Sequence, residues 1–443
     1  MDWDRRILSL IFDKLHFFDK LSCRLVCTRW SGLIVQETRS LDLSETAMDE
    51  GRYFYKHLIP YKNFGGSIGH STLAFAARVF RNLQHLDISG QGYGVWSYDP
   101  RIIFTQGLAP LKSLNLVSLA AMGEFPFGVS SSTLRDLSTL TTLERLELSV
   151  PEKFSLQSFL QPLTQLRHLA LANSLSGLDL RCFERLESLR LVNVALDSLP
   201  QRITELELEK CTWEDNSIFA NLVTLKSVTV SDGTAHRFPF HLFPALDTVV
   251  YKGCLEADVC LAMSKLPLSH LTLGGQDLKD TFTFKSGLAY SLRFFALHVP
   301  AKTLMCVKDA IVGSDIPLIE YVCTDTECLT NPTDIDFTGF AHLQRVSFIG
   351  RASLSVVESL ATCPEIRSVE NVSIVADYRL DYDTQDFDRK WHLCRTLHTM
   401  DLNVDDVVQL LGNLLGRGRL QPYFPENLVV SECSKRRVLL RVK

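Results

Sequence analysis

The spacing L-x-x-L-x-L, plainest at Leu143-Glu144-Arg145-Leu146-Glu147-Leu148, recurs along most of the chain and constrains it more than any other feature. Copies start at Leu83, Leu111, Leu143, Leu166, Leu186, Ile203, Leu225, Leu246, Leu268, Leu292, Leu318, Leu343, Ile366 and Leu397, 17 to 32 residues apart and about 24 on average. A period of this size marks a chain built by stacking one small unit many times. Positions 4 and 6 of a short extended segment point the same way, so Leu146 and Leu148 enter a core while Arg145 and Glu147 face water. One such strand cannot bury its apolar side alone, whereas stacked neighbours can.

A second apolar column runs three residues ahead of the starts, through Phe80, Leu108, Leu140, Leu163, Phe183, Leu222, Phe243, Phe340 and Cys363, as expected if a helix end covers the same core. Pro110, Pro162, Pro244, Pro267, Pro317 and Pro364 stand just ahead of the strands, where a helix must end before extended chain begins. The combined pattern resembles the leucine-rich-repeat family over roughly three quarters of the chain. The resemblance implies an α/β fold, a curved solenoid with one parallel sheet. Cys211 and Cys254 fall at the ninth position of their repeats, where that family commonly uses Asn or Cys to satisfy loop backbone.

Residues 1–40 do not follow the repeat. Ile7, Leu8, Ile11, Phe12 and Leu15 make a helical stripe, Leu21, Leu25 and Val26 continue it after a break at Phe17 to Asp19, and Trp30, Leu33 and Ile34 begin a third helix. Asp19 reads as the N-cap of the second. Three short helices bury little area, so this unit should lean on the repeats, on a partner, or on both. Ile7-Leu8, Ile11-Phe12, Leu15, Asp19 to Leu21 and Val26-Cys27-Thr28-Arg29-Trp30 resemble the F-box core pattern without a gap; the family's usual opening Leu-Pro is Trp3-Asp4 here. The resemblance implies an N-terminal three-helix F-box, with Leu8, Ile11, Phe12, Leu15, Val26 and Trp30 as the surface that meets a Skp-type adaptor.

The expected organisation is an F-box at 1–40, a junction with a degenerate first repeat at 41–82, the solenoid at 83–402 and a C-terminal cap at 403–443. Leu41-Asp42-Leu43 is the degenerate strand, followed by an aromatic-rich stretch from Tyr53 to Phe64. Insertions at 90–104 and 122–133 bring Tyr93, Trp96, Tyr98, Phe125 and Phe127, and long loops on a rigid array usually bind something. Gly90, Gly92 and Gly94 lack the spacing and the strand–helix frame of a nucleotide loop. Asp377 to Asp388 reads as an exposed acidic loop, Asp405 to Leu415 as a capping helix, and Arg436 to Val442 as a strand closing the last sheet edge.

A net charge of -5 does not indicate a general nucleic-acid or anionic-membrane surface. The 12 cysteines show no C-x-x-C or Cys/His cluster suited to zinc and read as reduced, mostly buried thiols. The leading residues lack a signal-type apolar region, and no apolar run is long enough for a membrane span, so a cytoplasmic and/or nuclear protein is expected. The sequon at Asn371 is then unused. His85, His168, His270 and His298 fall on solvent-facing strand positions without a nucleophile at motif spacing, so no enzyme, cofactor or metal is expected.

The two resemblances together imply a non-catalytic substrate-recognition subunit of an SCF-type ubiquitin ligase, joined through the adaptor to a cullin scaffold. Two alternatives stand beside it: a non-degradative F-box scaffold, and a leucine-rich-repeat binding module whose N-terminal helices are only a cap. Positions 3, 5 and 7 of successive strands should line the concave face in rows, from His85 and Asp87 through Arg145, Glu147, His168, Arg190, Glu205, Glu207 and Glu209 to Lys252, His270 and His298. Like charges on one strand repel. Glu205, Glu207 and Glu209, with Glu147 and Arg190 beside them and Trp96 and Tyr98 as apolar anchors, are therefore the candidate contact for a basic segment of a target protein.

Overall fold

The computed structural model describes residues 8, 11–12, 15, 17–24, 26–43, 70–89, 108–122, 131–149, 156–231, 234, 238–253, 257–275, 291–314, 316–324, 335–352, 356, 359–360, 362–374, 428–433 and 437–442. They fall into two compact units, Met1–Leu225 and Lys226–Lys443.

In the first unit, Leu8, Ile11 and Phe12 have helical backbone, and helices α1 (Phe17–Arg24) and α2 (Thr28–Glu37) follow. Asp19 is not the cap expected of it: α1 starts two residues earlier, and Asp19 lies in its first turn, where a carboxylate still opposes the helix dipole. Cys27 caps α2, its Sγ accepting from the Trp30 N–H at 3.4 Å, so the Cys-x-x-Trp spacing is a cap-to-N3 bond. Strand β1 (Ser40–Asp42) follows at once. Lys20, 3% exposed, donates from Nζ to the Ser40 carbonyl at 3.1 Å, and Asn82 Nδ2 donates to the Gln36 carbonyl at 2.8 Å. The helices are thereby tied to the first repeat. The Arg39 carbonyl accepts from Gln84 and His85, and the Leu43 N–H donates to Asp87, so the alternate carbonyl of Ser40 turns away from that pairing and Lys20 covers it.

Strands β2 (His85–Asp87), β3 (Ser118–Ala121), β4 (Arg145–Ser149), β5 (His168–Asp179), β6 (Ser188–Ser198) and β7 (Glu205–Glu209) continue the parallel ladder from β1, and β8 (Thr212–Trp213) pairs with the end of β6. Register puts Leu41, Leu86, Leu119, Leu146, Leu169, Leu189 and Leu206 in one column, each at most 2% exposed. Ala121, Leu148, Leu171, Leu191 and Leu208 form the next, also at most 2% exposed. Each buried leucine contributes about 1.5–3 kcal/mol, which no single strand could collect alone. Return segments are short: α3 (His70–Val79), α4 (Ser131–Leu137), α5 (Gln157–Leu160) and single 3-10 turns at Ala109–Ser113 and Asn216–Phe219.

One repeat starts elsewhere than its spelling suggests. Leu111, Leu114 and Leu116 match the L-x-x-L-x-L spacing, yet Leu111 sits in the 3-10 turn that Pro110 opens. Pairing of Leu119 with Leu146 and Ala121 with Leu148 makes Leu116 the true start. Alanine at position 6 hides this strand, while the turn leucines, buried in the same core, imitate it.

In the second unit, β9 (Ser227–Ser231), β10 (Thr248–Lys252), β11 (His270–Gly274), β12 (Phe294–Val299), β13 (Leu318–Cys323), β14 (Arg345–Ala352) and β15 (Ser368–Ile374) are again parallel. A bulge sets Phe295 opposite Leu318 but Ala296 opposite Glu320. Helices α6 (Ala257–Met263) and α7 (Ala301–Gly313) and a 3-10 turn at Phe240–Leu242 serve as returns. The core columns hold Val228, Val249, Leu271 and Phe295, then Val230, Tyr251, Leu273 and Leu297, all at most 1% exposed. Strands β16 (Leu428–Cys433) and β17 (Arg437–Val442) form an antiparallel hairpin, and β17 pairs antiparallel with β15 through Ser368–Arg441 and Val369–Leu440. The edge of β15 is covered as the sequence suggested. The expected helix at Asp405–Leu415, the acidic loop at Asp377–Asp388, the start at Leu397 and Cys254 lie outside the described residues. Among the described residues, no helix is long and apolar enough to cross a membrane.

Candidate protein-binding surfaces

The six apolar residues singled out near the N-terminus divide into two sets. Leu8 and Phe12 are 3% and 2% exposed, and the Phe12 ring meets the Trp30 ring edge-on at 5.5 Å, so these three hold the helices together. Leu15 and Trp30 are half-buried. Ile11 and Val26 instead stand in water, 43% and 63% exposed. Two large aliphatic side chains are thus left exposed on the N-terminal helical residues.

On β4 to β7 the side chains opposite the core are mostly polar or charged. Positions 3 carry Arg145, His168, Ser188 and Glu205 in register, and positions 5 carry Glu147, Ala170, Arg190 and Glu207. Glu205, Glu207 and Glu209 project from one strand, as the alternation requires, and basic neighbours answer Glu207 and Glu209. Arg145 Nη2 lies 2.5 Å from Glu147 Oε1, Arg190 Nε 3.1 Å from Glu207 Oε1, and Lys210 Nζ 3.7 Å from Glu209 Oε1. Glu205 is exposed and makes no ion pair with a described residue. Trp96 and Tyr98 lie outside the described residues.

Sequence reasoning missed a polar ladder at the exit of these strands. Asn173, Asn193 and Lys210 occupy position 8 of successive repeats with φ of 65°, 54° and 52°, a region asparagine tolerates well. Asn193 Nδ2 donates to Asn173 Oδ1 at 3.3 Å, and Asn173 Nδ2 to Ser149 Oγ at 3.4 Å. Cys211, expected to serve loop backbone, donates from Sγ to the Leu191 and Glu209 carbonyls at 3.3 and 3.4 Å. Burial pushes its thiol up to about 11, which keeps it a neutral donor. Just beyond, Asp179 accepts from Arg181 and Ser198, and the Arg181 guanidinium holds its carboxyl well below the usual range.

The face opposite the core on β9 to β12 differs. It shows Ser227, Thr248, His270 and Phe294 at position 3, and Thr229, Val250, Thr272 and Ala296 at position 5. Phe294 is half-buried, stacked against His270 at 5.8 Å, with the Arg345 guanidinium 6.0 Å from its ring centre. Glu320 joins two neighbours, its oxygens 3.2 Å from His298 Nε2 and 3.4 Å from Arg345 Nε. Ser269 Oγ is 2.7 Å from His270 Nδ1, with Ser269 half-buried and His270 exposed, and among the described residues no carboxylate is bonded to the ring as a Ser–His nucleophile would need. Phe294 was also missed, although Phe294-Phe295 on a strand of period two obliges one ring to face outward. Among the described residues, no group of His, Cys, Asp and Glu is placed to hold a metal ion.

No family model matches the chain, and no curated protein matches it. Solved structures similar to it include the functional domain of InlJ from Listeria monocytogenes, with its cysteine ladder, at TM-score 0.33 and 13% identity over 67% of this chain and 60% of that one. A leucine-rich-repeat protein of Leptospira interrogans gives 0.32 and 13% over 70% and 83%, and a TLR13–ssRNA13 complex 0.33 and 15% over 78% and 51%. The chain thus spans less than two thirds of the length of the Listeria and TLR13 chains. The fold stands on its own sheet: parallel strands in register, with buried apolar residues at positions 4 and 6, make each unit a leucine-rich-repeat array.

Proposed function

We propose that this chain is the non-catalytic substrate-recognition subunit of an SCF-type ubiquitin ligase, cytoplasmic and/or nuclear, with the N-terminal helices as an F-box on a Skp-type adaptor and the repeats on a target protein. The reading starts from the F-box resemblance. The single observation that carries it further is the exposure of Ile11 and Val26 beside a core of Leu8, Phe12 and Trp30, a helical unit with apolar surface left over. The chemistry supplied is proximity, raising the local concentration of target lysines near a loaded ubiquitin carrier. Target contact on the first unit is assigned to Glu205, Glu207 and Glu209, with Glu147 and Arg190 fixing register and Trp96 and Tyr98 as anchors.

The test is co-purification with a Skp-type adaptor. The parent should capture it, and the double variant Ile11→Glu, Val26→Glu should lose it while circular dichroism stays unchanged, since both side chains already face water. Trp30→Ala, which also opens the Phe12 contact, should cost about 3–5 kcal/mol of local stability or binding. Full adaptor capture by the double variant overturns the reading. Lys20 covering the Ser40 carbonyl equally suits a plain cap, and absent adaptor capture by the parent would favour that alternative. A scaffold role is separated by target abundance, which cullin inhibition would leave unchanged.

A further inference from the structure

In the second unit, helix α7 buries Ala301, Leu304, Val307 and Ile311 on one side and turns its other side to water. On that outer side Met305 and Val312 are each 41% exposed. They stand seven residues apart, two helical turns, and so share one face. Asp309, four residues after Met305 and three before Val312, completes the row. It is exposed and makes no ion pair with a described residue. The buried positions account for the packing of α7, and the row of apolar, acidic and apolar side chains takes no part in it.

At the Val312 end the row meets a hollow of about 30 Å³ between α7 and the segment leading to β14, with Ile311, Val312, Ile316, Gly339, Phe340 and His342 in its walls. It has room for the tip of one aliphatic side chain, and a water there finds few polar partners along such walls. Charge decides what else fits. Asp336, exposed, accepts from Lys308 Nζ, and Glu365 lies 3.7 Å from His342 Nδ1, a pair that attracts only while the imidazole is protonated. With Asp309, the described residues near the hollow thus set three carboxylates against one lysine. Lys302 stands seven residues before Asp309, at the end of α7 away from the hollow.

We infer that the outer face of α7 receives an amphipathic helix of a partner protein, running antiparallel to α7, with an aliphatic side chain in the hollow, an arginine or lysine on Asp309 and a second aliphatic side chain on Met305. Two turns of the partner match two turns of α7, so the three groups belong at i, i+3 and i+7 of the partner. The aliphatic groups supply the apolar contact. The cation fixes the register, since a carboxylate in its place would face Asp309. This surface belongs to the second unit and depends neither on the adaptor nor on the glutamates of β7.

The experiment uses the full chain without adaptor, so its outcome is separate from that of the adaptor capture. The probes are fluorescein-labelled eighteen-residue peptides of Ala and Gln carrying Leu, Arg three residues on and Leu four further, read by fluorescence anisotropy at low salt. Replacing Arg by Glu should weaken binding roughly tenfold or more. Replacing both Leu by Ser, or Met305→Ser with Val312→Ser in the protein, should weaken the Arg and Glu peptides alike. Asp309→Lys should reverse the Arg/Glu preference. Circular dichroism should stay unchanged in each variant, since all three side chains already face water. The triple variant Glu205→Lys, Glu207→Lys, Glu209→Lys should bind the Arg peptide as the parent does, which separates α7 from the acidic strand. Equal binding of the Arg and Glu peptides, a preference unmoved by Asp309→Lys, loss of binding in the triple variant, or no binding by either peptide overturns the inference.

Discussion

The two units solve one packing problem with different residues. In the first, columns 4 and 6 are leucine almost throughout, and the opposite face is a lattice of arginine and glutamate. In the second, valine, tyrosine, phenylalanine and cysteine share those columns with leucine, aromatic clusters such as Phe238, Phe240 and Phe243 fill the returns, and the opposite face is mostly Ser, Thr, His and one Phe. What the fold demands is an apolar side chain of suitable volume in each column. A large residue in one repeat is accommodated by smaller ones next to it, as Tyr251 by Val230. The outward faces are under no such demand, so they differ most.

The largest effects should come from the columns. Leu206→Ala, at a position 2% exposed and in register with Leu189, should cost about 2–5 kcal/mol, and Tyr321→Ala about 3–5 kcal/mol. Tyr321 is fully buried, its ring edge-on to Phe337 at 5.6 Å, and its hydroxyl donates to the Val299 carbonyl at 3.2 Å. Amide hydrogen exchange on β7 and β13 measures each unit by itself, which a single unfolding midpoint would not. Equal loss of protection in both units on either substitution would mean that they open together, and the contrast between them would lose its energetic meaning.

A second comparison sets two of the buried thiols, one from each unit, side by side. Burial pushes both Cys211 and Cys363 up to about 11 from the ordinary 9.0. A raised folded value means the native state holds its proton longer than the unfolded chain. Each thiol's contribution is therefore complete below about 9 and is lost as pH rises towards 11, at most about 3 kcal/mol apiece. Alkaline titration of exchange protection should loosen both units over that window, and Cys211→Ala should reduce the pH dependence of the first unit alone, leaving the smaller part from Cys23 and Cys182, whose thiols burial also raises.

The difference between the units also governs how much could be read from the residues. Between β4 and β7 the leucines name their own register, and Leu146, Leu148, Leu169, Leu171, Leu189, Leu191, Leu206 and Leu208 are all buried as the period requires. Leu271 and Leu273 in the second unit follow the same rule. Leu111 misled because turn and strand leucines serve one core, and spacing alone does not say which is extended. Near the N-terminus the apolar stripe was legible but its sidedness was not. Ile11 and Phe12 are adjacent, and only the edge-on Phe12–Trp30 contact decides which goes inside. Arg190, placed beside the three glutamates by the repeat spacing, is opposite Glu207 through the pairing of β6 with β7.

The smallest expected effect tests that lattice directly. Arg190 and Glu207 are 50% and 38% exposed, so solvent screens their 3.1 Å pair. A double-mutant cycle of Arg190→Ala and Glu207→Ala should give a coupling of about 0.2–1 kcal/mol that fades at high salt. Removing Arg190 alone should matter less for stability than for charge, because Glu207 then joins Glu205 as a second carboxylate on the strand without its Arg190 partner, with Glu209 still beside Lys210. If the first unit receives a basic segment, Arg190→Ala should speed association with the native target at low salt, while Lys252→Ala in the second unit should leave that rate unchanged. A coupling well above 1 kcal/mol would instead mark the pair as part of the fold, and the charged face as structural rather than a place where a partner's approach is steered.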